Sequence, residues 1–535
     1  MKKIILIYTV SFCISALIGQ QKPNIIWISV EDMSPRLASY GDHTVPTPNI
    51  DRLAKEGIVY EHVYTTAGVC SPSRCAIITG NYQTRVGGHN MRTTMNTFPE
   101  KTGLPLEYNV VPPAQIRCFP EYLRAKGYYV TNNDKTDYQF EAPPTVWDES
   151  SKTAHWRGRK ENQPFFSIFN IMTTHESQIW YRANKPLKVN PQNVPLPPYY
   201  PDTETVRNDI ARHYTNIADM DDQVGDIIQQ LEDDGLLDKT IIIFWSDHGD
   251  GLPFYKREIY KRGLHVPLIV RYPDLKGAGT RNNDLISAID FGPTVMSLAG
   301  IKTPKQMDGQ PFMGKYKAKS NRNYVFGARD RLDSEYDRVR SIMNKDFQFI
   351  MNFYPEKPLY MDIDFRKGIP MMKEMLLLRD NGQLNSTQMM WFNSTKSAEE
   401  FYDLKNDPYQ LNNLINDPRH QKDITVMRKE LLKWIKDTSD LGAIPEKVLI
   451  KNMWNDQDTP PKTEMPVAIS SNNNFTIKCG TKNASIGYRK LGETSWNVYK
   501  KPLKMKDTDL EIIAMRIGYE PSEILTLKTR KSTSY

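Results

Sequence analysis

Five short apolar runs constrain this chain more than any other feature. They are NIIWISV (24–30), GYYVT (127–131), FFSIFNI (165–171), TIIIFWS (240–246) and VPLIV (266–270). Each has the length of one strand and lacks the alternation of a half-exposed strand. Such runs suit parallel strands buried on both faces. Helical patterns lie between them. The clearest spans residues 205–233, where Ile210, Tyr214, Ile217, Val224, Ile227, Ile228 and Leu231 recur on one face. Strand alternating with helix predicts an α/β sheet covered on both sides.

Sheets of this kind bind ligands at the carboxyl ends of their strands. Here four of the five runs lead into polar or ionisable residues. Glu31-Asp32 follows the first, NNDKTD the second, MTTHES the third and DHGDG the fourth. A lone acidic pair after a strand is usually a helix cap or a solvated loop group. Agreement among four strand ends favours convergence instead. Glu31, Asp32, Asp247 and His248 are then candidate ligands of one hard cation, which prefers oxygen donors. Lys135 and Lys256 would neutralise an oxyanion such as sulfate or phosphate. His175 would protonate a leaving oxygen. Taken singly, each lysine reads as a surface charge and the histidine as a structural hydrogen-bonding group.

The stretch VCSPSRCAIITG (69–80) leaves several readings open. Cys70 is a nucleophile if Arg74 or a helix N-terminus lowers its pKa. It is equally a small buried hydrophobe, or a disulfide partner of Cys75. The segment RCAIITG has helical spacing, which puts Cys70 near a helix N-terminus, where anions bind. A thiolate beside a metal and an oxyanion cleft does not by itself specify a reaction.

Composition narrows the class. The chain has 535 residues, 39% hydrophobic and 10% aromatic, which affords two to four domains and excludes global disorder. Its net charge of +7 is mild: it suits an anionic substrate and gives no case for nucleic acid. Lys2 and Lys3 precede an apolar stretch, Ile4 to Ile18, and small Gly19. This predicts a cleaved secretory signal over residues 1–19, too short and wrongly flanked for a membrane span. Phe12 before Cys13 is too bulky for a lipoprotein cleavage site. A secreted or periplasmic protein with no stable membrane anchor is expected. Cys70, Cys75, Cys118 and Cys479 remain, with no CxxC pair, so neither a disulfide framework nor a zinc site is expected.

The domain expectation follows. Residues 20–320 form the catalytic α/β unit. Residues 321–454 form a mixed subdomain containing FYDLKNDPYQLNNL (401–414), a strand-turn-helix pattern. Residues 455–466 are a proline-containing linker, and 467–535 a small β-sandwich.

The motifs resemble the type I sulfatases, a family with the alkaline-phosphatase-like fold. CSPSR matches their Cys-x-Pro-x-Arg signature. The likeness extends over TPNIDRLAKEGIVYEHVYTTAGVCSPSRCAIITGNYQTRVGGH (47–89), SDHGD and FYDLKNDPYQLNNL, and covers roughly residues 22–450. It implies a mixed sheet covered by helices, a smaller C-terminal α+β subdomain and, here, a small all-β tail. That tail resembles a β-sandwich often appended to glycan-acting enzymes. The resemblance further implies that a maturation enzyme oxidises Cys70 to formylglycine. Its hydrated aldehyde attacks sulfur, the alcohol leaves, and the second hydroxyl helps expel sulfate. Carried over, Glu31, Asp32, Asp247 and His248 would hold calcium with the Cys70-derived oxygen. Arg74 would support the formylglycine, Lys135 and Lys256 would clamp sulfate, and His175 would be the acid.

Three positions depart from the family pattern. Glu31 stands where Asp is usual, and His248 where Asn is frequent. Lys135-Thr136-Asp137 replaces the frequent Lys-x-His, so Asp137 or another group would assist sulfate release. EDMSP, GGHNMRT, TTHES and SDHGDGLPFYKR most resemble the branch holding heparan N-sulfatases and bacterial polysaccharide sulfatases, ulvan-acting ones among them. His89, Asn90 and Arg92 would line the sugar pocket, with His265 a further candidate. The alternatives are a heparan-type N-sulfoglucosamine sulfohydrolase, a phosphonate or phosphodiester hydrolase on the same fold, and a non-catalytic glycan binder. The last would need no nucleophile.

Overall fold

The computed structural model describes residues 22–471, 474–504 and 509–528. The expected signal segment, 1–19, lies outside them. The centre is an eight-stranded sheet. Its strands are β1 (Asn24–Val30), β2 (Ile58–Tyr64), β3 (Tyr129–Asn133), β4 (Glu149–Ser150), β5 (Phe165–Ile171), β6 (Thr240–Ser246), β7 (Leu268–Arg271) and β8 (Thr280–Ser287). Their spatial order is β4-β3-β5-β1-β6-β7-β2-β8.

The continuous apolar runs are explained by burial on both faces. In β1, Ile26, Ile28 and Val30 enter one hydrophobic cluster. Ile25 and Trp27 enter another. Side chains alternate across a strand, so a sheet covered twice needs apolar residues at every position. On the second face the Trp27 ring meets those of Phe119, Phe166 and Trp245 at centroid separations of 5.2–5.3 Å.

The helices of nine residues or more are α1 (Pro48–Glu56), α2 (Cys70–Thr79), α3 (Glu204–Asp233), α4 (Pro370–Asp380) and α5 (Gln421–Asp437) among the described residues. The periodicity over 205–233 becomes α3, capped by the Thr203 hydroxyl, which accepts from the Val206 N–H. Its apolar stripe packs on the cluster that contains Ile26 and Ile28.

Two local expectations are corrected. The run at 266–270 does not form a parallel strand: β7 is antiparallel to both β6 and β2. A parallel return needs a long covering crossover. Residues 247–267 instead hold the polar loop after β6 and one four-residue helix, Lys261–Leu264, so the chain re-enters at the same end of the sheet. The pattern at 401–414 is a strand and a turn without its helix. Strand Glu399–Asp403 is followed by turns, and α5 begins only at Gln421.

Residues 325–437 also carry a four-stranded antiparallel sheet. Ile424, Met427, Leu431 and Trp434 of α5 cover it, against Ile342, Phe349 and Phe401. Beyond residue 466 lie two further antiparallel sheets, of three and four strands. They share Ile477, Leu503, Leu510 and Ile512 as a small core. Side-chain bonds tie this tail to the central unit. Arg117 donates to Ser485 Oγ at 2.6 Å, and Ser495 donates to the Asp148 carbonyl at 2.9 Å.

One buried acid connects α3 to α4. Asp209 Oδ2 accepts from the Met371 N–H at 2.6 Å. Burial pushes its pKa from 3.8 up to about 7, partly countered by that bond. The folded state therefore disfavours the ionised form, and stability falls as pH rises from about 4 through 7. An Asp209→Asn variant keeps the acceptor and removes the charge. Urea unfolding at pH 5 and pH 8 is expected to show it gaining roughly 2–3 kcal/mol on the wild type at the higher pH. A difference independent of pH would contradict the assignment.

Candidate active site

The site forms where β1, β3, β5 and β6 end, at the N-terminus of α2. The chain leaves β2 at Tyr64, and Val69 enters α2 in extended geometry with φ −152°. Gly80 closes the helix in the left-handed region at φ 63°. Every residue of α2 is buried, so Cys70 is held inside the molecule and not on a loop.

Around the Cys70 sulfur the predicted residues converge. Its Sγ lies 3.2 Å from His248 Nε2, 3.7 Å from Glu31 Oε2 and 3.9 Å from Asp32 Oδ1. His248 Nε2 is 3.1 Å from Asp32 Oδ1 and 3.7 Å from Asp247 Oδ1. Ligand atoms of Asp32, Cys70, Asp247 and His248 all lie within 4.8 Å of one another, as do those of Glu31, Asp32, Cys70 and His175. His248 Nδ1 faces the Gly249 carbonyl at 2.9 Å and carries a proton to it. That turns Nε2 toward the sulfur and the carboxylates.

The cations arrive from three elements. Arg74, one turn after Cys70, bonds Asp247 Oδ2 at 3.1 Å and also pairs with Glu31. Lys135 Nζ reaches Glu31 Oε2 at 2.5 Å. Lys256 Nζ spans both Asp32 oxygens at 2.9 and 2.7 Å and lies 3.1 Å from Glu176. Asp32 itself sits at φ 47°, a strained setting for a non-glycine residue. Its second oxygen accepts the Glu176 N–H at 2.7 Å.

The ionisation pattern follows from this crowding. Burial raises the pKa of Asp32, but Lys256, His175 and His248 outweigh it and hold the carboxyl well below its usual range. Burial would also raise the Cys70 thiol, yet Lys135 and Lys256 draw it down. Burial lowers His248, whereas Asp247, Cys70 and Asp32 lift it well above the imidazole norm. His175 is likewise raised, because Asp32 and Cys70 outweigh burial and Lys256.

The remaining predicted residues divide. Asp137 accepts from the Ser71 hydroxyl and lies 3.7 Å from Lys135 Nζ, so it sits on the rim beside the nucleophile candidate. Arg92 pairs with Asp333 at 2.7 Å and covers the Phe365 ring at 5.0 Å. That ring is 6.3 Å from His175, which places Arg92 on the same wall. His89 is buried beside Asp330 and Asp440, and Asn90 Oδ1 accepts the Arg331 N–H at 3.2 Å. His265 does not join the cluster. Its Nε2 bonds the Glu61 carbonyl of β2 at 2.8 Å, and its ring stacks on Tyr64 at 5.0 Å. Desolvation pushes its pKa down to about 3, so it is a neutral packing group. Cys75 is a free, buried thiol and forms no bridge to Cys70.

Several contributing residues were not legible beforehand. Glu176 pairs with Lys256 and grips Arg257 through two bonds of 2.8 and 2.7 Å. Ser29 and Asn170 bond Arg74 at 3.3 and 2.9 Å. Both interrupt otherwise apolar strands, and that interruption was the available signal.

Comparison with known proteins identifies the family. A model of the sulfatase family matches residues 23–301. The chain belongs to the sulfatase family. It is a sulfuric ester hydrolase. A second model, the C-terminal region of N-sulphoglucosamine sulphohydrolase, matches residues 249–376. An ulvan-active sulfatase of Formosa agariphila is 44% identical, with 95% of this chain and 92% of the relative aligned. The N-sulphoglucosamine sulphohydrolase of Homo sapiens is 24% identical over 79% of this chain and 90% of its own. A solved structure in complex with its substrate D-glucosamine-2-N,6-O-disulfate has a TM-score of 0.55 at 18% identity. It covers 78% of this chain and 98% of the solved one.

The Glu176 pairing generates a test. Glu176→Gln leaves the Arg257 guanidinium, 4% exposed, without its counter-charge. Removing one partner of a buried pair costs about 3 kcal/mol or more. Urea unfolding is expected to show that loss; a change below about 1 kcal/mol would mean the network is not stabilised by this pair.

Proposed function

We propose that this sulfatase hydrolyses sulfate esters on a sulfated polysaccharide or its oligosaccharides, with ulvan as the first candidate. The observation that carries the reading is the Cys70 sulfur, buried at the N-terminus of α2 among three carboxylates, two imidazoles and two lysines. The ulvan-active relative, at 44% identity across almost the whole chain, supports the choice of polymer. The likeness of residues 249–376 to an N-sulphoglucosamine sulphohydrolase keeps an N-sulfated glucosaminide as the second substrate to test. A secreted or periplasmic location follows from the N-terminal sequence and from a polymeric substrate. Among the described residues no helix is long and apolar enough to cross a membrane.

In this reading a maturation enzyme converts Cys70 to formylglycine. The modified side chain supplies a hydrated aldehyde, one hydroxyl of which attacks sulfur while the other later expels sulfate. Arg74, fixed by Asp247, Glu31 and Asn170, orients that side chain. Lys135 and Lys256 hold the sulfate oxygens, and His175 protonates the departing sugar oxygen. Asp137, bonded to Ser71, takes up a proton to assist sulfate release.

The donor set fits a hard divalent cation. Glu31, Asp32 and Asp247 offer oxygen, and His248 offers Nε2 because its Nδ1 proton is committed to Gly249. Calcium held there would supply positive charge for the sulfate oxygens.

Sulfate release from ulvan, measured by ion chromatography, tests the reading together with mass spectrometry of the Cys70 peptide. The active enzyme is expected to carry the aldehyde. Cys70→Ala is expected to lose at least 1000-fold in rate, the order seen on removal of a covalent nucleophile, while its unfolding midpoint is unchanged. Active enzyme with an unmodified thiol would overturn the mechanism.

A further inference from the structure

A cleft of about 1490 Å³ lies between the central unit and the C-terminal tail. It opens where β3 and β5 begin, beside Tyr129, Lys160 and Gln163. The catalytic cluster sits where those same parallel strands end. The two sites are thus about 20 Å apart through the sheet, at about 3.3 Å per strand residue.

Cations dominate the walls: Arg124, Lys160, Lys490, Lys500, Lys501 and Lys504. The acids among the lining residues are Asp148 and Glu493. Both are occupied. Asp148 pairs with Arg124 at 2.6 Å, and Glu493 accepts the Lys490 backbone N–H at 3.1 Å. Among the described residues Lys500 bonds the neutral carbonyls of Arg124 and Ala125. Burial lowers its pKa, and Lys22, Arg124, Lys126 and Lys501 lower it further, so like charges crowd here. Other lining groups are Gln163, Thr494, Ser495 and Asn497, which match sugar hydroxyls. The aromatic residues among the lining are Tyr128, which is buried, and Tyr129 and Tyr488, which are half-buried. That balance suits an anionic glycan better than stacked bases.

We propose that this cleft is a second binding site, which holds a stretch of anionic polysaccharide while another part of the chain occupies the catalytic cluster. The choice of glycan rests on the reading of the enzyme as a polysaccharide sulfatase; the excess of cations over acids among the lining residues does not. A short oligosaccharide cannot reach both ends of the sheet, so the cleft should matter for polymers alone.

The test uses the mature full-length Cys70→Ala protein, which binds without turnover. Affinity electrophoresis in gels containing ulvan, or dextran sulfate, reads polymer retention. The Lys160→Glu/Lys490→Glu/Lys501→Glu variant is expected to bind both polymers about ten-fold more weakly at low salt, with the gap closing as salt rises. On the Cys70-containing background, sulfate release from a short ulvan oligosaccharide should be unchanged. Lys160→Glu alone, outside the tail, gives a smaller loss and guards against disturbed tail packing. Unchanged retention of both polymers would overturn the proposal. Equal retention and equal loss with duplex DNA would overturn its assignment to glycan. Dextran sulfate separates the two readings: its loss without any ulvan hydrolysis supports the cleft while the substrate proposal fails.

Discussion

The rest of the site depends on a balance of buried charge. Glu31, Asp32, Asp247 and Glu176 face Arg74, Lys135, Lys256 and Arg257 in a chain of ion pairs at the strand ends. Four charges of each sign share a region from which water is nearly excluded. An unpaired member would carry several kcal/mol of desolvation. Each residue is therefore held by the others, and the Cys70 sulfur is fixed relative to all of them. The arrangement favours rigidity at the reacting position over maximal stability.

The fold supplies that rigidity through its two covered faces. Because β1 is buried between β5 and β6 and is apolar at every fully buried position but Ser29, Glu31 and Asp32 begin from a well-packed point. The Asp32 N–H donates to Asp247 Oδ1 at 3.1 Å, which ties the ends of β1 and β6 together. The antiparallel β7 belongs to the same logic. With no long crossover after β6, residues 247–267 stay at the catalytic end and return Lys256 to Asp32.

Much of this was legible in the sequence, for physical reasons that differ by residue. The apolar runs at 24–30, 165–171 and 240–246 match their strands because two-sided burial removes any ambiguity of face. Strand Ile58–Tyr64 was not foreseen as one, since its Glu61 and His62 interrupt the apolar pattern at half-covered positions. Convergence of Glu31, Asp32, Asp247 and His248 followed from strand ends, whereas the role of Cys70 needed the family resemblance. Glu176 escaped because pairing with Lys256 and Arg257 depends on a loop path that spacing does not encode. Asp250 shows the converse. It lies three residues from Asp247 in the same acidic run, yet it accepts from Ser34 N at 2.8 Å and Arg36 Nε at 2.8 Å, a purely structural task. His265 lies away from the Cys70 cluster for a related reason: its Nε2 is bonded to the Glu61 carbonyl of β2.

Charge balance also bears on which anion the site prefers. The four carboxylates and the four Arg and Lys cations cancel one another, and Lys135 and Lys256 are engaged by Glu31 and Asp32. A divalent cation held by those two carboxylates would free N–H donors of the lysines for an anion and would add two positive charges to the set. A sulfate ester brings one negative charge, and the sulfate product brings two. Neutralisation would thus be more complete for released sulfate than for the bound ester, which is the sense required for stabilising the second negative charge that sulfate gains on its expulsion, while the sugar oxygen leaves as a hydroxyl protonated by His175. The same electrostatics make the second, basic cleft intelligible. A polymer bearing many such esters would meet positive surface at both ends of the sheet, and only at one of them a nucleophile.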